Sequence, residues 1–450
     1  MSTDGRRRPP MGRAQQRQWQ PPPLRPYGNG NRLQPSAPGS RRSVFSYSVA
    51  ASYIAKDCPF DPSTHVFHFN PYNRLQQNRQ TNPAAARPES GQDAFFVSRV
   101  GDTGAVALGV ADGVGGWMDS GVDPADFSHG LCTYMAAAAY EHGRRGTALS
   151  SSSLPLSARR LMDMGYRAVQ QDRTIRAGGS TAVVGLLTPD GALEVANLGD
   201  SGFVQLRPYA VHAHSEPQTH AFNTPFQLSV VPPNLLARMA AFGGAQLSDE
   251  PRDAEVTRHR LQHGDVLVFA SDGVWDNLFN QDILRLVSGA MTATGAWRTS
   301  RAGPAGGGGV DVADGSAAAT ESPATTATAV TAAAPAADLR RLTRLDADVA
   351  VAVDNNDNDK TDDRQRTPSS SRDHGGGVTL QSLLATQITA AAKAASVNTT
   401  QDGPFAKEVK RYYPHETWHG GKVDDICVVV VVVTEEPGDG AGGPFIKSRL

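Results

Sequence analysis

Long apolar runs, paired cysteines and an excess of one charge sign are all missing from this sequence of 450 residues. The longest apolar run, Val428 to Val433, falls far short of the roughly 18 residues that span a bilayer, and its length is typical of a buried central strand. The three cysteines form no CxxC pair, which indicates reduced thiols in an intracellular compartment and argues against a disulfide framework. The net charge of −2 excludes polyanion binding driven by bulk charge.

Residues 1–47 have the composition of a disordered leader. The first 45 residues hold nine arginines, no lysine and a single acid, Asp4, and they are rich in Pro, Gln and Gly. An arginine-rich, acid-poor leader is typical of mitochondrial targeting, although the prolines oppose the amphipathic helix that such leaders form. The alternative is a plain basic tail on a protein of the cytoplasm or nucleus.

The globular part is predicted over 48–291 and 378–434. Between these ranges, 292–377 is rich in Ala, Thr and Gly and then in Asp, Asn and Ser, which predicts a disordered insertion, and 435–450 is a C-terminal tail. Short apolar runs predict strands, and apolar residues at helical spacing predict helices, with Asp276 or Asn277 as an N-cap candidate. The strands are 105–112, 181–187, 192–200, 202–206, 265–272 and 424–433, and the helices are 124–143, 156–172, 275–288, 379–396 and 403–413.

Aspartates lie at the ends of several predicted strands. Asp112, Asp200 and Asp272 each end an apolar run, Asp424 opens the valine strand, and Asp93 precedes a further apolar run. Taken singly, each is an ordinary turn residue or helix N-cap. Gathered at one cleft, carboxylates repel one another unless cations neutralise them or their pKa values rise. The set therefore indicates a site for Mg²⁺ or Mn²⁺, which prefer oxygen ligands, and the absence of nearby His or Cys at ligand spacing argues against zinc.

Five segments occur in an order that resembles a known family. They are "ADGVGGW" (111–117), "GGSTAVVG" (178–185), "ANLGDSG" (196–202), "FASDGVWDNL" (269–278) and "GGKVDDICVVVV" (420–431). Together they resemble the type 2C metal-dependent protein phosphatases, in particular the organellar branch, over roughly 48–290 and 378–434. The resemblance implies an α+β fold, a four-layer α-β-β-α sandwich of two antiparallel sheets flanked by helices.

The resemblance also implies roles for individual residues. Asp112 would bridge two metal ions, and the carbonyl of Gly113 would bind one of them. Asp272 and Asp424 would ligate the same metal, and these two with Asp112 form the catalytic set. The remaining positions implied are Asp93, which acts mainly through bound water, Asp200 at a weaker third metal, and Arg87 as a phosphate-binding residue. Arg87 does not align cleanly, so a solvated surface arginine is an equal alternative.

The activity implied is hydrolysis of phosphoserine and phosphothreonine in proteins by a hydroxide that bridges two Mg²⁺ or Mn²⁺ ions, with a weaker third ion as an option. Two positions depart from the common pattern, since Gln92 stands where many members have Glu and Val114 where many have His. The alternative is a catalytically weak pseudophosphatase that binds phosphoproteins. A monomer with phosphoprotein substrates is expected. Nucleic acid is not expected as the main partner, because outside the basic leader the chain is acidic.

Overall fold

A computed structural model describes residues 44–69, 88–143, 155–232, 249–300, 329–344 and 378–436, all within a unit that spans 42–450. The strands are β1 (Val44–Ile54), β2 (Val66–His68), β3 (Asp93–Arg99), β4 (Val106–Asp112), β5 (Gly178–Ser180), β6 (Ala182–Leu187), β7 (Ala192–Leu198), β8 (Gly202–Arg207), β9 (Ala210–His214), β10 (Thr219–Ala221), β11 (Thr224–Pro225), β12 (Leu228–Val230), β13 (Glu255–Arg260), β14 (Val266–Ala270), β15 (Trp297–Ser300), β16 (Ala329–Ala333) and β17 (Ile426–Glu436). The helices are α1 (Pro124–Glu141), α2 (Ala158–Gln171), α3 (Asp272–Trp275), α4 (Asn280–Ala293), α5 (Ala336–Thr343), α6 (Leu380–Ser396) and α7 (Pro404–Tyr412). Short 3-10 turns cover Gly115–Ser120 and Pro251–Asp253.

Two antiparallel sheets form the centre of the described structure. One has the strand order β2-β1-β17-β14-β8-β9 and the other the order β13-β7-β6-β4-β3. Three two-stranded pairs, β10-β11, β12-β5 and β15-β16, lie outside these sheets. The pairing of β17 with β1 joins residues almost 400 positions apart and runs along the full length of both strands, from Val44 opposite Glu436 to Ile54 opposite Ile426.

The valine run shows how the two sheets are held together. Side chains alternate between the two faces of a strand. Val428, Val430 and Val432 therefore pack in the apolar cluster beneath α4 and α6, while Val429, Val431 and Val433 pack in the cluster between the sheets. All six are fully buried, and burial of a valine side chain contributes on the order of 1.5 kcal/mol. The prediction of a buried central strand is confirmed.

The helices complete two outer layers. Residues of α1 and α2 pack with those of β3, β4, β6 and β7, and residues of α4 and α6 pack with those of β8, β14 and β17. Helices α1 and α2 have side-chain caps at their N-termini: Asp123 accepts from the backbone N–H of Ala125 at 3.0 Å, and Ser157 accepts from that of Arg160 at 3.2 Å. The four-layer α-β-β-α arrangement is confirmed. No described helix is both long enough and apolar enough to cross a membrane.

The bounds of four predicted segments need correction. The leader of 1–47 overlaps β1, which begins at Val44, and the tail of 435–450 overlaps β17, which ends at Glu436. The helix predicted over 275–288 is divided, since α3 ends at Trp275 and α4 begins at Asn280. Part of the segment 292–377, predicted to be disordered, is also structured, because α4 runs to Ala293 and β15, β16 and α5 follow it. The rest of that segment and residues 1–43 lie outside the described residues.

Candidate metal centre

The predicted metal ligands lie at strand ends of both sheets. Asp93 opens β3 and Asp112 closes β4, and the two face each other across this antiparallel pair. Asp272 opens α3 just after β14, and Asp424 lies two residues before β17. Because β14 and β17 are antiparallel neighbours, the end of one lies beside the start of the other. Asp200 follows β7, the strand that pairs with β6 next to β4.

A lysine side chain joins three carboxylates at this cleft. The ammonium nitrogen of Lys422 lies 2.6 Å from Asp272 Oδ2, 2.7 Å from Asp276 Oδ2 and 3.1 Å from Asp424 Oδ2. The side chain of Lys422 is only 16% exposed. Asp272 and Asp424, which lie far apart in the sequence, are therefore within reach of one cation.

The charges around Lys422 favour the ionised forms of both Lys422 and Asp272. Burial acts to lower the pKa of Lys422, but the neighbouring carboxylates of Asp272 and Asp276 outweigh it and raise that pKa above its usual range. Burial acts to raise the pKa of Asp272, but the Lys422 ammonium outweighs it, so the pKa of Asp272 falls below its ordinary value. The Lys422–Asp272 contact is therefore an ion pair at neutral pH.

Asp112 lies in the same cluster and is held through its backbone. Its carbonyl accepts hydrogen bonds from the Ser180 hydroxyl at 2.8 Å and from the Thr181 N–H at 2.9 Å. Burial, followed by the charges of Asp272 and Asp93, raises the pKa of Asp112 well above its ordinary value. The carboxyl groups of Asp112 and Asp272 are in hydrogen-bonding contact, which further lowers the pKa of Asp272.

Two buried carboxylate oxygens have no hydrogen-bond partner. Asp93 accepts from the Ser271 hydroxyl at 2.6 Å through Oδ2, but its Oδ1 is unpartnered, as is Oδ1 of Asp200. Burial, then the charge of Asp425, raises the pKa of Asp93 well above its ordinary value, and burial, then the charge of Asp272, raises the pKa of Asp200 to about 7. Buried unpaired acceptors are costly, and carboxylate oxygens are the ligands that Mg²⁺ and Mn²⁺ prefer. The donor set therefore fits these hard divalent ions.

The carboxylates are not arranged as a complete metal-binding group. Within the described ranges, no three His, Cys, Asp or Glu side chains have the geometry of such a group. The Lys422 ammonium lies between the carboxylates of Asp272, Asp276 and Asp424 instead. The fold collects the predicted ligands into one cluster and places a cation of the chain itself within it.

Three of the remaining predicted positions, Gly113, Gln92 and Val114, lie beside Asp112 and Asp93 in the described structure. Gly113 donates its N–H to the Gln92 carbonyl at 3.1 Å, and a Cβ at this position would lie 2.9 Å from that oxygen, so only glycine fits without a shift. The Gln92 amide donates to the Met118 sulfur at 3.3 Å. Val114 contributes an aliphatic side chain and therefore no proton donor. Arg87 lies outside the described residues.

Two charged residues of the cluster were not identified from the sequence. Lys422 stands in the segment "GGKVDD", two positions before Asp424, and this proximity was the available signal. Asp276 was interpreted as a helix N-cap candidate, but it directly follows α3 and its carboxylate contacts Lys422. The N-cap of α4 is Phe279. Asn277, the other candidate, bonds the backbone of Gly273 and Lys422.

Comparison with known proteins gives consistent matches. The family model described as "Protein phosphatase 2C" matches residues 84–305. The chain is 33% identical over 251 residues to the protein of Saccharomyces cerevisiae named "Protein phosphatase 2C homolog 7, mitochondrial", a match that covers 55% of this chain and 71% of that protein. It is 39% identical over 196 residues to the human "Protein phosphatase PTC7 homolog", covering 43% of this chain but only 59% of the relative. A solved structure, that of the photosystem II phosphatase PBCP, aligns over 86% of this chain and 98% of its own with 20% identity and a TM-score of 0.47.

Proposed function

Because the chain belongs to the protein phosphatase 2C family, whose members are metal-dependent protein serine/threonine phosphatases, we propose that its acid cluster is the catalytic centre. Asp112, Asp272 and Asp424 would hold two divalent ions, Mg²⁺ or Mn²⁺, with the Gly113 carbonyl as a further ligand. Asp93 would support the site through water. The observation that carries this assignment is the convergence of carboxylates from both sheets on one cleft. The hydrogen bond from Ser271 to Asp93 joins the two sheets there, and Lys422 contacts both Asp272 and Asp424.

The chain's own residues set up the reaction. When bound, the ions would supply the acidity that activates the attacking water and the positive charge that the phosphoryl oxygens require. Ser271 fixes Oδ2 of Asp93 by donating a hydrogen bond, which leaves Oδ1 as an acceptor in the cleft. The bonds from Ser180 and Thr181 fix the backbone of Asp112 at the end of β4.

A cysteine-based phosphoryl transfer is not supported by the two buried thiols. Cys132 lies in α1 and Cys427 in β17, and both are buried. Burial raises the pKa of each thiol above its ordinary value, so both are protonated near neutral pH. Only the thiolate is an effective nucleophile, and these two residues are therefore packing residues.

The decisive experiment compares wild type with Asp112→Asn in a phosphopeptide hydrolysis assay with Mn²⁺. We expect a loss of rate of at least about hundredfold, because removing a group that organises charge at a reacting phosphoryl centre has effects of that size. Asp119→Asn is the matched control, since Asp119 is exposed in the 3-10 turn after Gly113 and should leave the rate unchanged. Turnover by Asp112→Asn at the wild-type rate, or wild-type turnover that persists in EDTA, contradicts the assignment.

We also propose that the protein acts on phosphoproteins in the mitochondrion as a monomer. The support is the arginine-rich composition of residues 1–43 and the name of the yeast relative, which includes the word "mitochondrial". A fusion of residues 1–43 to a fluorescent reporter tests the location, and a diffuse cytosolic signal contradicts it. Light scattering on the purified chain tests the oligomeric state.

A further inference from the structure

Lys422 occupies an unusual position for a lysine, because it is largely buried and contacts three acids at once. Its ammonium lies within 3.1 Å of Asp272, Asp276 and Asp424. It also lies 5.1 Å from the centre of the Phe405 ring, which limits its access to water. A buried lysine is tolerated when carboxylates pair with it, and here each of its three ammonium hydrogens has a carboxylate oxygen nearby.

The backbone of Lys422 is fixed to the segment that carries two of these acids. Its N–H donates to Asn277 Oδ1 at 2.9 Å, and its carbonyl accepts from Asn277 Nδ2 at 2.9 Å. The same Asn277 Nδ2 donates to the Gly273 carbonyl at 2.9 Å, within α3. Lys422 is therefore positioned against Asp272 and Asp276 by the fold as well as by charge.

Charge balance explains why such a cation is needed. Seven carboxylates interact at the cleft, those of Asp93, Asp112, Asp200, Asp272, Asp276, Asp424 and Asp425. Two divalent ions carry four positive charges and leave the cluster negative when all seven acids are ionised. The third ion expected at Asp200 would lie next to Lys422, because the charges of Asp272 and Lys422 both act on Asp200. Ligation of that ion by Asp272 or Asp276 would need the carboxylate oxygens that Lys422 contacts.

We propose that Lys422 is a resident cation that takes the place of a third metal ion beside Asp272 and Asp276, so that this enzyme needs two added divalent ions and no third. The inference rests on the proposed function, because it assumes that the cluster binds metal. It assigns to Lys422 a positioning role: the side chain holds the carboxylates together in the metal-free protein and excludes an additional ion.

The experiment measures bound Mn²⁺ by equilibrium dialysis with elemental analysis, and the melting temperature in EDTA, for the full chain. Wild type should bind two ions. Lys422→Met should bind a third or bind Mn²⁺ at least about tenfold more tightly, because a repelling charge is gone. Its metal-free melting temperature should fall by at least about 5 °C, because carboxylates are left buried without their partner.

Two further variants separate charge from packing. Lys56 Nζ lies 4.0 Å from Asp424 and its side chain is 53% exposed, so Lys56→Gln removes the same charge where solvent screens it and should shift the melting temperature by less than about 2 °C. The double variant Lys422→Met with Asp276→Asn should recover much of the lost stability, since it removes one carboxylate along with the ammonium. If Lys422→Met does not fold in EDTA, the metal-free protein has lost all of its stability, which agrees with the proposal. Lys422→Arg, which keeps the positive charge, must then fold and bind two ions.

The outcomes distinguish this inference from the proposed function. A wild type that binds three ions, or a Lys422→Met variant with unchanged stoichiometry, affinity and melting temperature, overturns the role of Lys422 while leaving metal-dependent hydrolysis intact. A wild type that neither binds Mn²⁺ nor hydrolyses phosphopeptide overturns the proposed function itself. In that case the melting temperatures in EDTA still decide whether Lys422 neutralises the cluster.

Discussion

Asp200 shows what burial among like charges does to a single side chain. Its pKa is raised from 3.8 to about 7 by burial and by the charge of Asp272. Between these two pH values the folded protein binds a proton that the unfolded chain does not bind. The metal-free protein should therefore lose stability as the pH rises through about 7. Burial raises the pKa of Asp93, Asp112, Asp276 and Asp424 in the same direction.

The expected result is a lower melting temperature at pH 8 than at pH 6 in EDTA. Mn²⁺ requires ionised carboxylates, so the stabilisation that it gives should be larger at pH 8 than at pH 6. Asp272 has a lowered pKa and contributes stability that is lost only below its ordinary value of 3.8, outside this window. Asp200→Asn should flatten the dependence in EDTA. A metal-free protein that is more stable at pH 8 contradicts this account.

Among single residues of the site, the carboxylates could be identified from the sequence, but the lysine that contacts them could not. An acid at the end of an apolar run is a local pattern, so Asp112, Asp272 and Asp424 could be singled out without a structure. Lys422 differs, because its role in the site depends on contacts with Asp272 and Asp276, about 150 residues earlier in the chain. A lysine beside two aspartates usually indicates a solvated surface, and only the fold shows this one to be buried.

Among the elements, the sequence predicted best those determined by local periodicity and caps. Helix α1 begins at Pro124 as the pattern indicated, with Asp123 as its N-cap. The helix predicted over 275–288 is divided because the backbone of Phe279 is extended, with φ −72° and ψ 154°, and α4 begins at the next residue. The folded part begins earlier than the predicted residue 48 because the first residues of β1 pair with Glu435 and Glu436, a contact that no local pattern reveals.

The strand pair β15-β16 lies in a segment that the amino-acid composition wrongly predicted to be disordered. Trp297 is 1% exposed and its indole N–H donates to the Gly264 carbonyl at 2.9 Å. The backbone N–H of Ala334 donates to the Ala296 carbonyl at 2.8 Å, and Leu339 of α5 is fully buried. The surrounding Ala, Thr and Gly content predicted disorder, yet Trp297 of β15 and Leu339 of α5 pack in the apolar core.

This attachment predicts which part of the 292–377 segment is dispensable. Ser300 and Ala329 face each other in the antiparallel pair, so a two-residue Asn-Gly turn can replace 301–328. The shortened chain should keep wild-type activity and a melting temperature within about 2 °C, because turn replacement leaves every described contact in place. Differential scanning fluorimetry and the phosphopeptide assay check both values.

Substitution of Trp297 within β15 should have a larger effect on stability than removal of 301–328. Trp297→Ala should lower the melting temperature by about 10 °C, since removal of a buried tryptophan costs about 3–5 kcal/mol. Arg298→Ala is the matched control, because its ion pair with Asp338 is more than half exposed at both partners and contributes little. A shortened chain as unstable as Trp297→Ala shows that 301–328 is needed for the fold.

For the molecule as a whole, the site depends on both sheets at once. Asp93 and Asp112 belong to the five-stranded sheet, and Asp272 and Asp424 flank strands of the six-stranded sheet. The inner faces of the sheets are joined by an apolar cluster that includes Val110, Phe269 and Val429, close in sequence to these acids. Neither sheet alone presents the full set of carboxylates, so metal binding should link the two sheets mechanically.

Hydrogen exchange measured by mass spectrometry tests this link. Mn²⁺ should slow exchange in segments of both sheets together, at 110–117 on one side and at 271–277 and 422–427 on the other, because one ion shared between them makes their opening a single event. Helix α2 packs on the outer face of the five-stranded sheet, away from these acids, and serves as the internal reference whose exchange should not change. Asp112→Asn should abolish the protection in all three segments, including 271–277 and 422–427, which lie at the other sheet. Protection by Mn²⁺ that is confined to the segments of one sheet would show that the ions are held by that sheet alone, and the shared centre would then have to be abandoned.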